Sequence, residues 1–289
     1  MTIEIVEFIQ SLQNGFFDLF FNFISFMGEE YVYIILLTIV YYAYDKKLGE
    51  MLGYVLIVST ALNTILKHIF SAERPFAKYP DRVDNLRPHT SPGYSFPSGH
   101  TQVFTSVIFS IGFYVKKNSV LSIVAGLSLL MAISRMYLGV HFLEDVFVSL
   151  VLGVSLSHLY YTIFMKHHEN PKTMMKIYIG TLIILLIILF VLKTKTYITT
   201  VGMFAGFIAA MWFEKRYVNF TMEVSMIQKG IRVLSGVAIM LMIQVGFKAI
   251  YGSIFDNESI LLVFDFIRYF LLVFIGLGVY PYFFKKLGI

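Results

Sequence analysis

An all-α, polytopic integral membrane helical bundle is the fold class this sequence predicts, and three observations carry the expectation. Of 289 residues 57% are hydrophobic and only 14% are charged, with a mean hydropathy of +0.74, far from the range of water-soluble domains. Apolar runs such as YVYIILLTIVYYAY (31–44), MLGYVLIVSTALNTIL (51–66), VLSIVAGLSLLMAI (120–133) and IYIGTLIILLIILFVL (177–192) recur along the whole chain. With their flanks, each approaches the roughly 20 residues needed to cross a bilayer. Short polar connectors separate them, and five of the seven prolines fall in one long connector, 71–98.

The first apolar stretch, 4–27, carries Glu4 and Glu7 and has Gly15 at its middle, which predicts an interfacial helix followed by a short insertion. No basic residue precedes its apolar part, so it is not expected to be a cleaved signal peptide. Helices are then expected at 31–44, 48–70, 99–115, 119–136 and 144–164, followed by four more at 175–192, 197–213, 230–250 and 260–284. A second long connector runs from 214 to 229. This divides the chain into an expected catalytic core, 1–168, and C-terminal transmembrane helices, 169–289.

The net charge of +5 and pI near 9.1 would suggest nucleic acid in a soluble protein. Here the basic residues sit in connectors, where lipid headgroups and the positive-inside rule account for them, so no nucleic-acid partner is expected. Alternating helices place Lys46, Lys47, Lys116, Lys117, Lys166, Lys172, Lys176, Lys215 and Arg216 on one side, together with Lys285 and Lys286. That side is assigned to the cytoplasm and the 71–98 connector to the extracytoplasmic side. The absence of cysteine excludes disulfides and thiolate chemistry.

Three segments at the second side concentrate polar residues that a bilayer protein avoids: KHIFSAERP (67–75), PSGH (97–100) and SRMYLGVHFLED (134–145). Together they hold three cations, Lys67, Arg74 and Arg135, two histidines, His100 and His141, and the carboxylate Asp145. Cations of this kind suit a phosphate ester, arginine through bidentate donors and lysine through a compact charge. Lys67 and Arg74 are seven apart, two turns if helical, with Pro75 expected to end the helix. His141 and Asp145 are four apart at the start of a helix, so the carboxylate can fix one ring nitrogen and leave the other free to attack. In PSGH, Pro97 and Gly99 permit a tight turn, Ser98 is a favoured N-cap, and the helix start offers backbone N–H groups to an anion. His100 in that first turn is positioned to act as a general acid.

Alone, a histidine at a helix start is most often a polar cap, and basic residues near helix ends usually snorkel. Convergence of the set argues otherwise. Asp265 and Arg268, three apart inside the last apolar helix, are expected to neutralise each other. His158, His167 and His168 lack metal-ligand spacing.

These residues resemble the type 2 phosphatidic acid phosphatase superfamily, whose three-part signature is K-x6-R-P, P-S-G-H and S-R-x5-H-x3-D. Every fixed position and internal spacing is present in Lys67–Pro75, Pro97–His100 and Ser134–Asp145, and the resemblance covers about residues 30–165. It implies a six-helix phosphatase core, with the C-terminal helices as an addition of unknown role. It also implies that Lys67, Arg74 and Arg135, assisted by Ser98 and Gly99, bind the phosphoryl group. His141 would form a phosphohistidine, Asp145 orient it, and His100 protonate the leaving group, with no metal or cofactor required. The implied substrate is a lipid phosphate, such as phosphatidic acid, phosphatidylglycerophosphate or undecaprenyl pyrophosphate, cleaved at the extracytoplasmic face of a bacterial cell membrane. Polyprenyl pyrophosphatases of this superfamily often carry Asp at the position of Gly99, which leans the expectation toward a general lipid phosphatase. The alternatives are a phosphotransferase using the same intermediate, a sugar-phosphate phosphatase of the glucose-6-phosphatase kind, and a bundle that serves as transporter or scaffold.

Overall fold

A computed structural model describes residues 2–289, apart from the side chains of Thr2 and His89. Among the described residues the regular structure is entirely helical. In chain order the helices are α1 (Thr2–Gln10), α2 (Gly15–Phe26), α3 (Glu30–Ile39), α4 (Lys46–Phe70), α5 (Pro75–Lys78), α6 (Gly99–Val115) and α7 (Asn118–Tyr137). They continue as α8 (Leu143–His167), α9 (Pro171–Leu189), α10 (Lys195–Phe213), α11 (Met226–Leu241), α12 (Lys248–Ile254), α13 (Glu258–Val273) and α14 (Tyr280–Leu287). Seven helices or continuous helical runs are long and apolar enough to cross a membrane, or eight if α2 and α3, bent by 57°, count as one span. This is an integral membrane protein.

Residues 4–27 form two helices. The break falls where Asn14 caps α2, its side chain accepting from the N–H groups of Phe16 (3.1 Å) and Phe17 (3.0 Å). Similar local signals start later helices: Asn170 before Pro171, Thr194, Asn257, and Ser225 with Gln228 in a reciprocal capping box. Helix α4 ends at Phe70, as expected, so Lys67 and Arg74 do not share one helix face. Ser71 takes a left-handed φ of 48°, and Pro75, its φ already set for a helix start, opens α5.

The chain divides into two compact units, one of residues up to Tyr33 with Val58–Thr162, the other of Ile34–Ile57 with Ile163–Ile289. In the first unit α6 packs on α7, and α1 and α2 also lie against α7. Phe104, Ile108, Val124 and Met131 form its apolar centre, with Ile24 and Met27 packed on them. Polar groups between α4 and α6 satisfy one another: Ser59 and Ser106 hydroxyls lie 2.9 Å apart, and Asn63 donates to Gln102 Oε1 at 3.0 Å. The link from α7 to α8 turns at Gly139, φ 72°, where a Cβ would lie 2.1 Å from the Asp84 carbonyl oxygen.

In the second unit α10 packs along α13 and against α9. Its helices are interrupted by π-helical turns at Val40–Tyr44, Glu214–Val218, Met242–Phe247 and Phe274–Val279. Each shifts the register of the following turn. The expected pair Asp265–Arg268 forms here at 2.7 Å, with both side chains buried.

Candidate active site

Helix direction places the C-terminal ends of α4 and α7 and the N-terminal ends of α6 and α8 at one end of the first unit. That end gathers Lys67, Arg74, Ser98, Gly99, His100, Arg135, His141 and Asp145. Ser98, Arg135, His141 and Asp145 are 0–2% exposed, and Arg74 is 6% exposed, unusual burial for such groups.

His141 lies just before α8 and Asp145 in its first turn, so their four-residue spacing brings Nδ1 to 3.2 Å from Oδ2. The same carboxylate oxygen accepts from the Phe142 N–H at 2.8 Å and from the Ser95 hydroxyl. Three donors on one oxygen hold the carboxylate in place. Burial first, and then the charges of Arg74, Lys67, Arg135 and His100, hold the His141 imidazole well below its ordinary pKa. With the ring neutral and its proton on Nδ1, facing Asp145, Nε2 is the acceptor side of the imidazole, and in this structure it accepts from Arg74 Nη1 at 3.3 Å.

The two arginines are held differently. Arg74 gives the edge formed by Nε and Nη2 to the carbonyls of Gly93 (2.9 Å) and Pro92 (3.0 Å), and Nη1 to Val140 O (2.9 Å). It staples the 92–93 loop beside His141. Arg135 is fully buried and donates from Nη1 to the Ser25 hydroxyl, while its Nε and Nη2 have no partner among the described residues. Those two nitrogens form the edge that grips a carboxylate or phosphate in two parallel bonds. Lys67 reaches the carbonyls of Tyr94 and, at 3.2 Å, Ser95.

Across the site, Ser98 stands at the N-cap of α6 as expected, yet its hydroxyl makes no capping bond. It pairs with Thr101 Oγ1 at 3.0 Å, while the Ser98 N–H donates to the Asp145 carbonyl at 3.2 Å. The helix start is therefore tied to α8 and left without a side-chain cap, as an anion site requires. Among the described residues the buried Nε2 of His100, in the first turn of α6, has no partner. Unpaired buried polar atoms are costly, and these three, on α6 and α7, are of the kind that an anion can satisfy. Glu73 and Glu144, neighbours of the motif residues, are exposed. Among the described residues no group of three or more His, Asp or Glu side chains comes together as a metal site.

Two contributors escaped the sequence. Ser95 carried no spacing signal, though it lies only two residues before Pro97. Ser25 is the single hydroxyl in the apolar FISFM, a lone polar residue whose purpose shows only in the folded chain.

Comparison with known proteins adds a second line. Residues 51–169 match the PAP2 superfamily, and residues 198–289 match a second profile, described as the PAP2 superfamily phosphatase transmembrane extension. A lipid A 4'-phosphatase of Porphyromonas gingivalis is 28% identical over 175 residues, 54% of this chain and 70% of that protein. A probable sphingosine-1-phosphate phosphatase of Dictyostelium discoideum is 29% identical over 53% of this chain and 40% of its own, longer sequence. The bacitracin transport permease protein BcrC of Bacillus licheniformis is 31% identical over 53% of this chain and 76% of that protein. With its three motif segments gathered at one end of a helical membrane unit, this chain belongs to the PAP2 superfamily.

Proposed function

We propose that the protein is a lipid phosphate phosphatase that works through a phosphohistidine. The observation that carries this is His141, buried, neutral, fixed through Nδ1 by Asp145, and presenting Nε2 among three cations none of which lies on a carboxylate. Nε2 attacks phosphorus, the phosphorus–oxygen bond to the leaving group breaks, and His100, protonated once the phosphoryl anion lies beside it, gives that oxygen its proton. His100, now neutral, takes a proton from water, whose oxygen attacks the phosphohistidine and releases inorganic phosphate. Arg135 clamps two equatorial oxygens, Lys67 and Arg74 supply further positive charge, and Ser98 and Gly99 offer the helix start. These cations perform the charge neutralisation that a metal performs elsewhere, so turnover is expected to survive EDTA.

A headgroup substrate follows from a site set at the end of membrane helices. Phosphatidic acid, phosphatidylglycerophosphate and undecaprenyl pyrophosphate all present such a group, and the relatives named for lipid A and sphingosine phosphates act on the same chemistry. The distribution of lysine and arginine supports a site on the extracytoplasmic side.

Phosphate release from these three lipids by the purified full-length protein, with and without EDTA, tests the activity. An alkali-quenched reaction with labelled substrate should show acid-labile phosphoprotein in wild type and none in His141→Ala, whose turnover should fall by about a thousandfold or more. Wild-type turnover in that variant overturns the mechanism. Cysteines introduced at 47 and 85 test the orientation: labelling from outside intact cells should reach 85, and reaction at 47 alone reverses it.

A further inference from the structure

Residues 15–29 lie outside the segments that match the superfamily, yet they touch two of the groups the mechanism uses. Resting on the function proposed above, we propose that α2 and the turn after it form a wall of the phosphoryl site. In this wall Ser25 is a positioning residue for Arg135, and Gly28 makes room for His100.

Two independent contacts support this. The Ser25 hydroxyl, fully buried, accepts from Arg135 Nη1, the one guanidinium nitrogen not on the free edge. Fixing Nη1 fixes the plane of the group, and so the direction in which Nε and Nη2 point. The second contact is at Gly28. A Cβ there would lie 2.9 Å from His100 Cδ2 and 3.2 Å from Met131 Cε, so any larger residue pushes on the imidazole.

The wall is held on both sides of Ser25. Tyr137, two residues beyond Arg135, donates to Asp18 Oδ1 at 2.7 Å and lies against Phe21, the rings tilted by 34° with centroids 4.4 Å apart. Arg87 donates to the Asn22 carbonyl at 2.7 Å and forms an ion pair with Glu29. Ile24 and Met27 pack on the cluster of Phe104 and Met131. A segment tied this closely can hold an arginine to within the tolerance that bidentate recognition demands.

The test uses full-length protein in detergent with two probes, p-nitrophenyl phosphate and dodecyl phosphate, and inorganic phosphate as competitive inhibitor. Ser25→Ala should weaken phosphate inhibition about tenfold and lower kcat/KM on both esters by a similar factor, the scale of one hydrogen bond to a charged group. Ser25→Thr, which keeps the hydroxyl, should restore both to within about twofold. Gly28→Ala should lower kcat about tenfold on dodecyl phosphate, whose alkoxide needs a proton, and leave p-nitrophenyl phosphate nearly unaffected, because nitrophenolate departs without one. A wall with a purely structural role moves unfolding temperature without changing phosphate affinity or leaving-group dependence. Wild-type values in either folded variant overturn the proposal for that residue, and should Gly28→Ala fail to fold, the Ser25 pair decides. His141→Ala runs alongside: its activity would overturn the proposed function, whereas an inactive His141→Ala beside wild-type Ser25→Ala and Gly28→Ala overturns only the wall.

Discussion

In the second unit Lys46 lies on Glu214, Lys215 on Glu50, and both Lys195 and Arg268 on Asp265, at 2.9 and 2.7 Å in the last two cases. In the first unit Lys67, Arg74 and Arg135 lie on backbone carbonyls or a hydroxyl, with no carboxylate in ion-pair contact among the described residues. The same residue types thus follow two rules. Where charge serves the fold it is cancelled locally, because an uncompensated ion in a low-dielectric interior costs several kcal/mol. Around the proposed phosphoryl site charge is held by neutral dipoles, which fix direction without cancelling the field.

Exchanging one arginine in each unit is the sharpest way to break this comparison. Arg135→Ala should lower kcat/KM by a hundredfold or more by removing the free clamp edge, with little loss of thermal stability, since it removes a buried charge that has no counterion. Arg268→Met should do the reverse, lowering stability by about 1–2 kcal/mol in thermal unfolding, since Lys195 still holds Asp265, while each folded molecule turns over normally. Equal activity losses in the two variants would erase the distinction.

Ser95→Ala comes next. Losing a donor to the Asp145 carboxylate should cost about tenfold or somewhat more in kcat, with KM nearly unchanged, because the bond acts through His141 and not on the substrate.

The pH profile sharpens the electrostatic side. Because burial and the surrounding cations hold His141 well below 6.5, the acid limb of kcat/KM should appear well below that pH and not near it. Arg74→Gln removes one of the named charges, so protonation of His141 becomes easier and the limb should move upward. A limb unmoved in Arg74→Gln would show that the Arg74 charge does not set the value. The smallest effect belongs to the partly exposed Lys215 on the buried Glu50: Lys215→Gln, whose amide can still donate to the carboxylate that Tyr178 also holds, should cost about 1 kcal/mol, read as a small fall in unfolding temperature.

Much of this was written locally. Helix existence followed from apolar run length, because a bilayer core leaves the backbone no partner outside its own helix. The spacing of His141 and Asp145 across the first turn of α8 fixed their contact before any packing was known. The N-caps at Asn14 and Asn170 are likewise one-segment signals. Local periodicity was misleading at Lys67 and Arg74, where a seven-residue spacing suggested one helix face. The chain instead turns at Ser71, and Arg74 reaches the site from the loop.

What the sequence by itself determined was therefore the membrane class, the three motif segments and the His141–Asp145 pair, all of which depend on neighbours within one turn. Only the tertiary structure separated the arginines, Arg74 as a loop staple and Arg135 as an open clamp, because an arginine's role depends on which edge its neighbours occupy. It alone brought in Ser95 and Ser25, and it alone grouped residues 34–57 with the C-terminal helices. Inside a bilayer, lipid-facing and protein-facing apolar surfaces carry the same residue types, so hydropathy identifies helices without choosing their neighbours.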